Sequence, residues 1–212
     1  MTAAWRHREC DVLVVGAGAA GLRAAIAAGS AGARVAVACK SLLGKAGTLL
    51  ATGDVADLAR EAPERIEELR SWGALFAGAR VGLEVLRTLQ HRAVAQENVD
   101  IHMECAILRL FVAKGRIMGA LGVRRATGEL VLFRCKAVVL AAGSAARAWK
   151  KNSGTADATG DAFALALRAG AELADMELAQ FEPDGRYRHG PGGIRVHPET
   201  AQTCVAGLYA AG

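Results

Sequence analysis

An apolar strand that runs into three closely spaced glycines constrains this chain more than any other feature. Val12 to Val15 lead into the segment Gly16-Ala17-Gly18-Ala19-Ala20-Gly21. Gly16 permits a tight turn, Gly18 lets the backbone approach a phosphate, and Gly21 lets the next helix pack against the strand. That helix, from about residue 18 to 32, points its free N–H groups and positive end at an anion. The pattern predicts a parallel α/β sheet that binds a dinucleotide pyrophosphate.

The second predicted strand lacks the carboxylate that usually binds a ribose hydroxyl at its end. It runs from Arg34 to Cys39 and is followed by Lys40 and Ser41. The ribose is then held by Ser41, by Lys40 or by backbone groups, and a 2′-phosphate stays open on this feature alone. Two later segments, Ala137 to Gly143 and Gly207 to Gly212, indicate FAD as the dinucleotide.

Composition is that of one globular α/β domain. The chain has 212 residues, of which 52% are apolar and only 5% aromatic, with 25 glycines. The apolar fraction is high enough for a buried core, and the many glycines and few aromatic residues favour close packing of helices on a sheet. The net charge of +5 comes from scattered basic residues. Because no basic surface interleaved with aromatic residues can be identified, we expect a solvated surface and no nucleic-acid partner.

The cysteines and the N-terminal sequence indicate a reducing compartment. The five cysteines are an odd number without a Cys-x-x-Cys pair, and the five histidines are dispersed. We therefore expect reduced core thiols in a cytoplasmic protein, with no metal or iron–sulfur ligand set. The first ten residues lack the apolar core of a signal peptide, and glycines and Arg23 interrupt the apolar run from Val12. No direct insertion into a membrane is expected.

Periodicity places the remaining elements. Apolar residues at helical spacing predict helices over residues 58–69 and 81–96. Strands are predicted over 99–110, 116–125, 130–134 and 136–142, the middle ones forming a β-meander. Thr159 is predicted to cap a helix that carries Asp161 in its first turn. Spacing alone leaves Asp161 open as a capping residue or a functional one.

Four longer segments carry a family resemblance. They are CKSLLGKAGT (39–48), AVVLAAGSAARAW (137–149), TGDAFALALRAGAELADMELAQFEPDG (159–185) and GGIRVHPETAQTCVAGLYAAG (192–212). In sequence and in order they resemble the flavoprotein subunit of succinate dehydrogenase and fumarate reductase, a family that also includes L-aspartate oxidase. The resemblance implies a Rossmann-like, glutathione-reductase-like FAD-binding domain with a parallel sheet, a β-meander and flanking helices.

The same resemblance implies where FAD binds. Its contacts would be Gly16, Ala17, Gly18, Ala19, Ala20 and Gly21 at the pyrophosphate, Lys40, Ser41 and Thr48 along the flavin, Ala106 near the adenine, Ala142 and Gly143 in the flavin pocket, and Asp161.

Several departures from the family pattern qualify the expected chemistry. Gly47 stands where respiratory members carry a His bonded covalently to the flavin, so FAD is expected to be non-covalent. Glu182 replaces a substrate-contacting His and would repel a dicarboxylate unless protonated or paired. Only six residues separate Gly185 from Gly192, where the family inserts a capping domain with a proton-donating Arg. Arg188 also stands in the place of a family His. We expect residues 1–212 to form one FAD-binding domain, and no catalytic acid or base is assigned.

Three interpretations follow from these observations. The chain is an FAD-dependent oxidoreductase that exchanges electrons with an unidentified substrate or partner, or it is a catalytically degenerate nucleotide-binding or assembly module. The third is a piece of a longer subunit, because the sequence stops before the Glu and the last Gly-rich helix of the family. If the family arrangement applies, an iron–sulfur or other electron-transfer subunit is the partner and holds the chain at the cytoplasmic face of a membrane.

Overall fold

The computed structural model describes residues 5–43, 58–76, 81–152, 154–187 and 192–211. The helices are α1 (Ala19–Ser30), α2 (Leu58–Ser71), α3 (Val81–Val94) and α4 (Asp161–Arg168). The strands are β1 (Trp5–Glu9), β2 (Val12–Val15), β3 (Val35–Ala38), β4 (Val99–His102), β5 (Cys105–Ala113), β6 (Arg116–Arg124), β7 (Leu130–Arg134), β8 (Ala137–Leu140), β9 (Leu173–Ala174), β10 (Gly193–Ile194) and β11 (Leu208–Ala210).

A five-stranded parallel sheet forms the centre of the fold, in the order β11-β8-β2-β3-β4. Strand β2 pairs with β3 through Val12 and Val35, and with β8 through Val12 and Ala137. All four residues of β3 are buried. A short, wholly apolar strand is typical of a parallel sheet that is covered on both faces. The predicted parallel α/β fold is confirmed.

A second, mixed sheet has the order β1-β7-β6-β5. Strands β5, β6 and β7 form the predicted antiparallel meander. Strand β1 was not predicted, because its sequence WRHRE lacks apolar alternation and four of its five residues are exposed. It pairs in parallel with β7, from Trp5 opposite Leu130 to Glu9 opposite Arg134. Residues 5–9 therefore form a strand because they pair with β7, which lies more than a hundred residues later, and not because of their own sequence.

The single strand predicted over residues 99–110 is wrong. The structure breaks it at Met103 and Glu104 into β4, which belongs to the parallel sheet, and β5, which belongs to the mixed sheet. Glu104 has a φ of 53°, a left-handed conformation that interrupts the extended strand backbone there. The sequence does not reveal this break, because β4 and β5 both have the apolar pattern of a strand and together look like one longer strand.

Alternate residues of β2 face two different core clusters. Leu13 packs with Phe133 and Leu140 between the parallel sheet and the mixed sheet. Val14 packs with Leu22 of α1 and Leu86 of α3 on the opposite face. The parallel sheet is thus the middle layer of the described structure. Its strands are packed on both faces.

Asp11 connects the beginnings of three neighbouring strands of the parallel sheet. Its carboxylate accepts a hydrogen bond from Lys136 Nζ at 2.8 Å and another from the Arg34 backbone N–H at 3.0 Å. These two donors, with the charge of Lys136, lower the pKa of Asp11 to about 2. The contacts align β2, β3 and β8 at the edge opposite the loops described next.

Candidate functional site

Three strands of the parallel sheet end side by side, and their ends are joined by hydrogen bonds. The Gly16 N–H donates to the Ala38 carbonyl at 2.8 Å, and the Ala141 N–H donates to the Val15 carbonyl at 2.8 Å. The loops after β2, β3 and β8 therefore start from one edge of the sheet. The carboxyl edge is where open α/β sheets bind their ligands.

The turn after β2 has the geometry that its glycines predict. Gly16 has a φ of 110°, and a Cβ there would overlap the Ala141 carbonyl group. A Cβ on Gly21 would overlap the Gly16 carbonyl oxygen, so this position needs glycine for packing. A Cβ on Gly18 would meet no atom within 4 Å. The turn is closely packed at Gly16 and Gly21 and open at Gly18.

Helix α1 begins at this turn with unpaired donors. Its N-cap is Gly18, which provides no side-chain hydrogen bond, and its first turn contains no acidic residue. The first hydrogen bond of the helix runs from Leu22 N–H to the Gly18 carbonyl at 2.9 Å. The N–H groups of Ala19, Ala20 and Gly21 have no carbonyl one helical turn before them. These donors and the helix dipole make this end of α1 suited to an anion such as a pyrophosphate.

Lys40 and Asp161 meet at this edge although 121 positions separate them in sequence. Lys40 Nζ donates to Asp161 Oδ2 at 2.8 Å and also to the Thr159 hydroxyl. The Thr159 hydroxyl in turn donates to Asp161 Oδ1 at 2.8 Å. Partial burial raises the pKa of Asp161, but the hydrogen bonds from Lys40 and Thr159 outweigh burial and hold the pKa below its ordinary value. The Asp161 carboxyl is therefore ionised at neutral pH.

The predicted capping role of Thr159 is wrong. The residue at the N-cap of α4 is Gly160, in a left-handed conformation with a φ of 77°, and it makes no side-chain capping bond. The Thr159 hydroxyl is oriented to the Asp161 carboxylate instead. A charged acceptor two residues away, itself bonded to Lys40, is a stronger partner for the hydroxyl than a neutral backbone N–H.

The segment after β8 connects the glycine turn to α4. Ala141 contacts Gly16, and the Ser144 carbonyl accepts the Gly160 N–H at 3.2 Å. The predicted flavin-pocket residues Ala142 and Gly143 lie between these two contacts in sequence. They are thus connected on one side to the glycine turn and on the other to the beginning of α4.

The ends of β3 and β4 form the other flank of this region. The Ser41 carbonyl accepts the Glu104 N–H at 3.2 Å and the Cys39 thiol at 3.1 Å. Burial raises the pKa of Cys39 to about 11, so this thiol is neutral. The predicted residue Ala106 lies in β5, two positions after Glu104.

Arg125 is a neighbour of the predicted site that sequence reasoning missed. Its Nη1 donates to the Lys40 carbonyl at 2.8 Å, and its backbone N–H donates to the Glu104 carbonyl at 2.8 Å. It follows β6 in a turn, 85 positions from Lys40. No sequence spacing links the two, so only the pairing of β6 with β5 could have indicated this contact.

Some predicted residues lie outside the described part of the structure. These are Thr48, Gly47 and Arg188. The structure does describe Glu182, whose backbone N–H donates to the Arg186 carbonyl at 2.8 Å. Nearby, the rings of Trp149 and Tyr187 stack with centroids 3.8 Å apart.

Two features are absent from the described residues. No helix there has both the length and the apolar character needed to cross a membrane. Across the same ranges, no three His, Cys, Asp or Glu side chains group in a way that could hold a metal ion.

The covered parallel sheet, the glycine turn and the unpaired start of α1 define a dinucleotide-binding α/β domain. A family model described as FAD binding domain matches residues 80–197, more than half of the chain. The chain belongs to this FAD-binding family, and the prediction of FAD as its cofactor is confirmed.

Known relatives confirm the resemblance to succinate dehydrogenase and fumarate reductase flavoproteins. The chain is 28% identical to the fumarate reductase flavoprotein subunit of Mycobacterium tuberculosis, with 82% of this chain and 40% of that protein aligned. It is 28% identical to the succinate dehydrogenase flavoprotein subunit of Rickettsia bellii, with 87% and 41% aligned. Among solved structures, Mycobacterium smegmatis Sdh1 in complex with UQ1 is similar with a TM-score of 0.87 and 27% identity.

The chain spans less than half the length of these two relatives. The similarity to the solved structure covers 98% of this chain and 63% of the other.

Proposed function

We propose that this chain binds FAD non-covalently at the carboxyl edge of the parallel sheet and acts as the FAD-binding part of an oxidoreductase. The observation that carries the proposal is the convergence of three separate segments at one edge. The glycine turn contacts Ala141, and the loop after β8 is bonded to the start of α4. Lys40 at the end of β3 is bonded to Asp161 in α4.

The proposed roles follow from the chemistry of each segment. Residues Gly16 to Gly21 receive the pyrophosphate, because they combine free N–H groups with an open approach at Gly18. Lys40, Ser41 and Thr48 lie along the flavin, and Ala142 and Gly143 line the flavin pocket. Ala106 lies near the adenine, and Asp161 is a further contact. FAD, when bound, accepts and releases the electrons. The chain's own residues bind and orient it.

Gly47 supports the non-covalent attachment. The resemblance places it where respiratory members of the family attach the flavin through a His. Glycine has no side chain, so this position offers no atom for such a bond.

A short connection supports a single domain without a capping domain. Strands β9 and β10 pair antiparallel, with Leu173 opposite Ile194. Only residues 175–192 join them, and this is where the family inserts the capping domain. Phe181 and Tyr187 lie in this short region and pack edge-on, and the Tyr187 ring stacks on Trp149 from the segment after β8. Substrate-binding groups would then come from another chain or another part of the protein.

The proposed partner is an electron-transfer subunit, for which an iron–sulfur protein is the family expectation. Two of the relatives are named as subunits, which supports an assembled state. In such an assembly the chain would lie in the cytoplasm and reach a membrane face only through its partner.

The experiment is a visible absorption spectrum of the purified chain with and without added FAD. We expect a flavin band that passes a filter after denaturation and is bleached by dithionite. Gly18→Glu places a negative charge in open space at the start of α1, so it should abolish FAD uptake while leaving the fold intact. Ala113→Glu adds the same charge at an exposed position of β5 and should bind FAD normally.

Two results would overturn the proposal. A folded wild-type chain that takes up no FAD would support a degenerate binding or assembly module. Colour that stays with the denatured protein would show a covalent flavin and refute the role given to Gly47.

A further inference from the structure

Two cysteines from distant parts of the sequence lie side by side, immediately after the paired strands β1 and β7. The parallel register of β1 and β7 ends with Glu9 opposite Arg134, and the next residues are Cys10 and Cys135. The Cys10 N–H donates to the Arg134 carbonyl at 3.1 Å, which continues the pairing by one residue. Neighbouring strands lie about 4.8 Å apart. That spacing falls within the roughly 4.4–6.8 Å between Cα atoms that a disulfide requires.

Both thiols face the same core. Cys10 is 7% exposed and Cys135 is 6% exposed, and both belong to the cluster that contains Leu13 and Phe133. A hydrogen bond between the two thiols lowers the pKa of Cys10 against the effect of burial, and the same bond raises the pKa of Cys135. Of the two, Cys10 is the one that ionises more readily.

We propose that Cys10 and Cys135 form a redox modification site that small hydroperoxides convert to a disulfide. The Cys10 thiolate attacks the peroxide O–O bond and becomes a sulfenic acid, and hydroxide leaves. The Cys135 thiol then attacks the Cys10 sulfur, forming the S–S bond and releasing water. The two thiols together lose two electrons and two protons, and hydrogen peroxide is reduced to two waters. Because both thiols are buried, only a small oxidant reaches them.

The bond would join the two places where the chain passes from the mixed sheet to the parallel sheet. Cys10 precedes β2 and Cys135 precedes β8, the two strands that end at Gly16 and at the Ala141 segment. The cysteines lie before these strands and the candidate FAD site lies after them. Oxidation should therefore stabilise the fold without altering FAD binding. The loop that it closes is long, which favours a large entropic effect on the unfolded chain.

Two of the other three cysteines, Cys39 and Cys204, provide controls. Cys39 belongs to the opposite core cluster and its thiol is bonded to Ser41, and Cys204 is exposed. Neither takes part in the pairing of β1 with β7. Cys204→Ser also removes the thiol most open to intermolecular oxidation.

The test treats the purified Cys204→Ser chain with hydrogen peroxide under denaturant-free conditions. We expect two thiols to disappear, the mass to fall by two hydrogens, and a peptide linked through Cys10 and Cys135 after proteolysis without reduction. The oxidised form should melt about 5–15 °C above the dithiothreitol-treated form. Cys10→Ala and Cys135→Ala, each in the same background, should lose this shift.

Either of two results would overturn the inference. One is full retention of the thiols at peroxide concentrations that oxidise a model peptide thiol. The other is a linked peptide or a sulfinic acid that does not involve the Cys10 and Cys135 pair. If an alanine variant fails to fold, the linked peptide from the Cys204→Ser chain still decides the question.

Discussion

Gly21→Ala should destabilise the domain although alanine is the better helix former. In an ordinary helix position the replacement gains about 1 kcal/mol of helix propensity. Here the new Cβ would overlap the Gly16 carbonyl oxygen and would also lie 3.4 Å from the Ala141 Cβ. Overpacking a closely packed site costs about 1–3 kcal/mol, and the upper end applies because a backbone carbonyl cannot rotate away. The net expectation is a loss of about 2 kcal/mol in the free energy of unfolding.

Urea unfolding followed by circular dichroism measures this change in free energy. In thermal unfolding followed by the same signal, the melting temperature should fall by about 4–8 °C. The affinity for FAD should fall as well, because α1 must move away from the turn that receives the pyrophosphate. Gly18→Ala is the matched control, since its Cβ meets no atom within 4 Å, and it should change stability by about 1 kcal/mol at most. A Gly21→Ala chain as stable as the wild type, with unchanged FAD affinity, would refute the argument from close packing.

Three other predictions concern the titratable groups Asp161, His102 and Asp11. Asp161→Asn should weaken FAD binding and lower the free energy of unfolding by about 1 kcal/mol, a value discounted because the Asp161 side chain is 41% exposed. Titration calorimetry compares the FAD affinity of this variant with that of the control Glu177→Gln, and equal affinities would contradict the role of the Lys40 and Asp161 pair. Burial, with Arg124 and Arg8, lowers the pKa of His102 below 6.5 against the effect of Asp100. The unfolded chain then binds a proton more readily than the folded chain, so the free energy of unfolding should fall as the pH drops below about 6.5. His102→Gln should flatten this pH dependence in urea unfolding measured between pH 7 and 5, and an unchanged pH dependence would rule out His102 as its source. Asp11 has a pKa lowered from 3.8 to about 2, so its stabilisation is complete above pH 3.8 and is lost as the pH falls toward 2. Lys136→Ala should raise that pKa in a carboxyl NMR titration, and a pKa that stays near 2 would assign the shift to the Arg34 contacts alone.

Local patterns predicted the elements whose physics is local. The strand, the glycine turn and α1 form one continuous segment, so the residue types at Gly16, Gly18 and Gly21 were enough to predict their geometry. The β-meander was predicted for the same reason, since β5 to β7 are joined by short turns with glycine. The family resemblance then identified FAD, which the family model confirms.

Elements that depend on distant pairing escaped prediction. Strand β1 exists because β7 offers it hydrogen bonds, and its own sequence is mostly charged. The break between β4 and β5 reflects a change of sheet at Glu104. Thr159 looked like a helix cap because its position suited one, and nothing in the nearby sequence showed that Lys40 draws Asp161 and Thr159 together.

The sequence by itself determined the fold class, the position of the glycine turn and the identity of the cofactor. Each depends on residues that are close together in the chain or on segments whose order matches a family. Only the tertiary structure decided which side chains meet, as with Lys40 and Asp161, Arg125 and Lys40, and Cys10 and Cys135. The physical reason is that sheet pairing sets these contacts, and the partners of a strand can lie more than a hundred residues away in sequence.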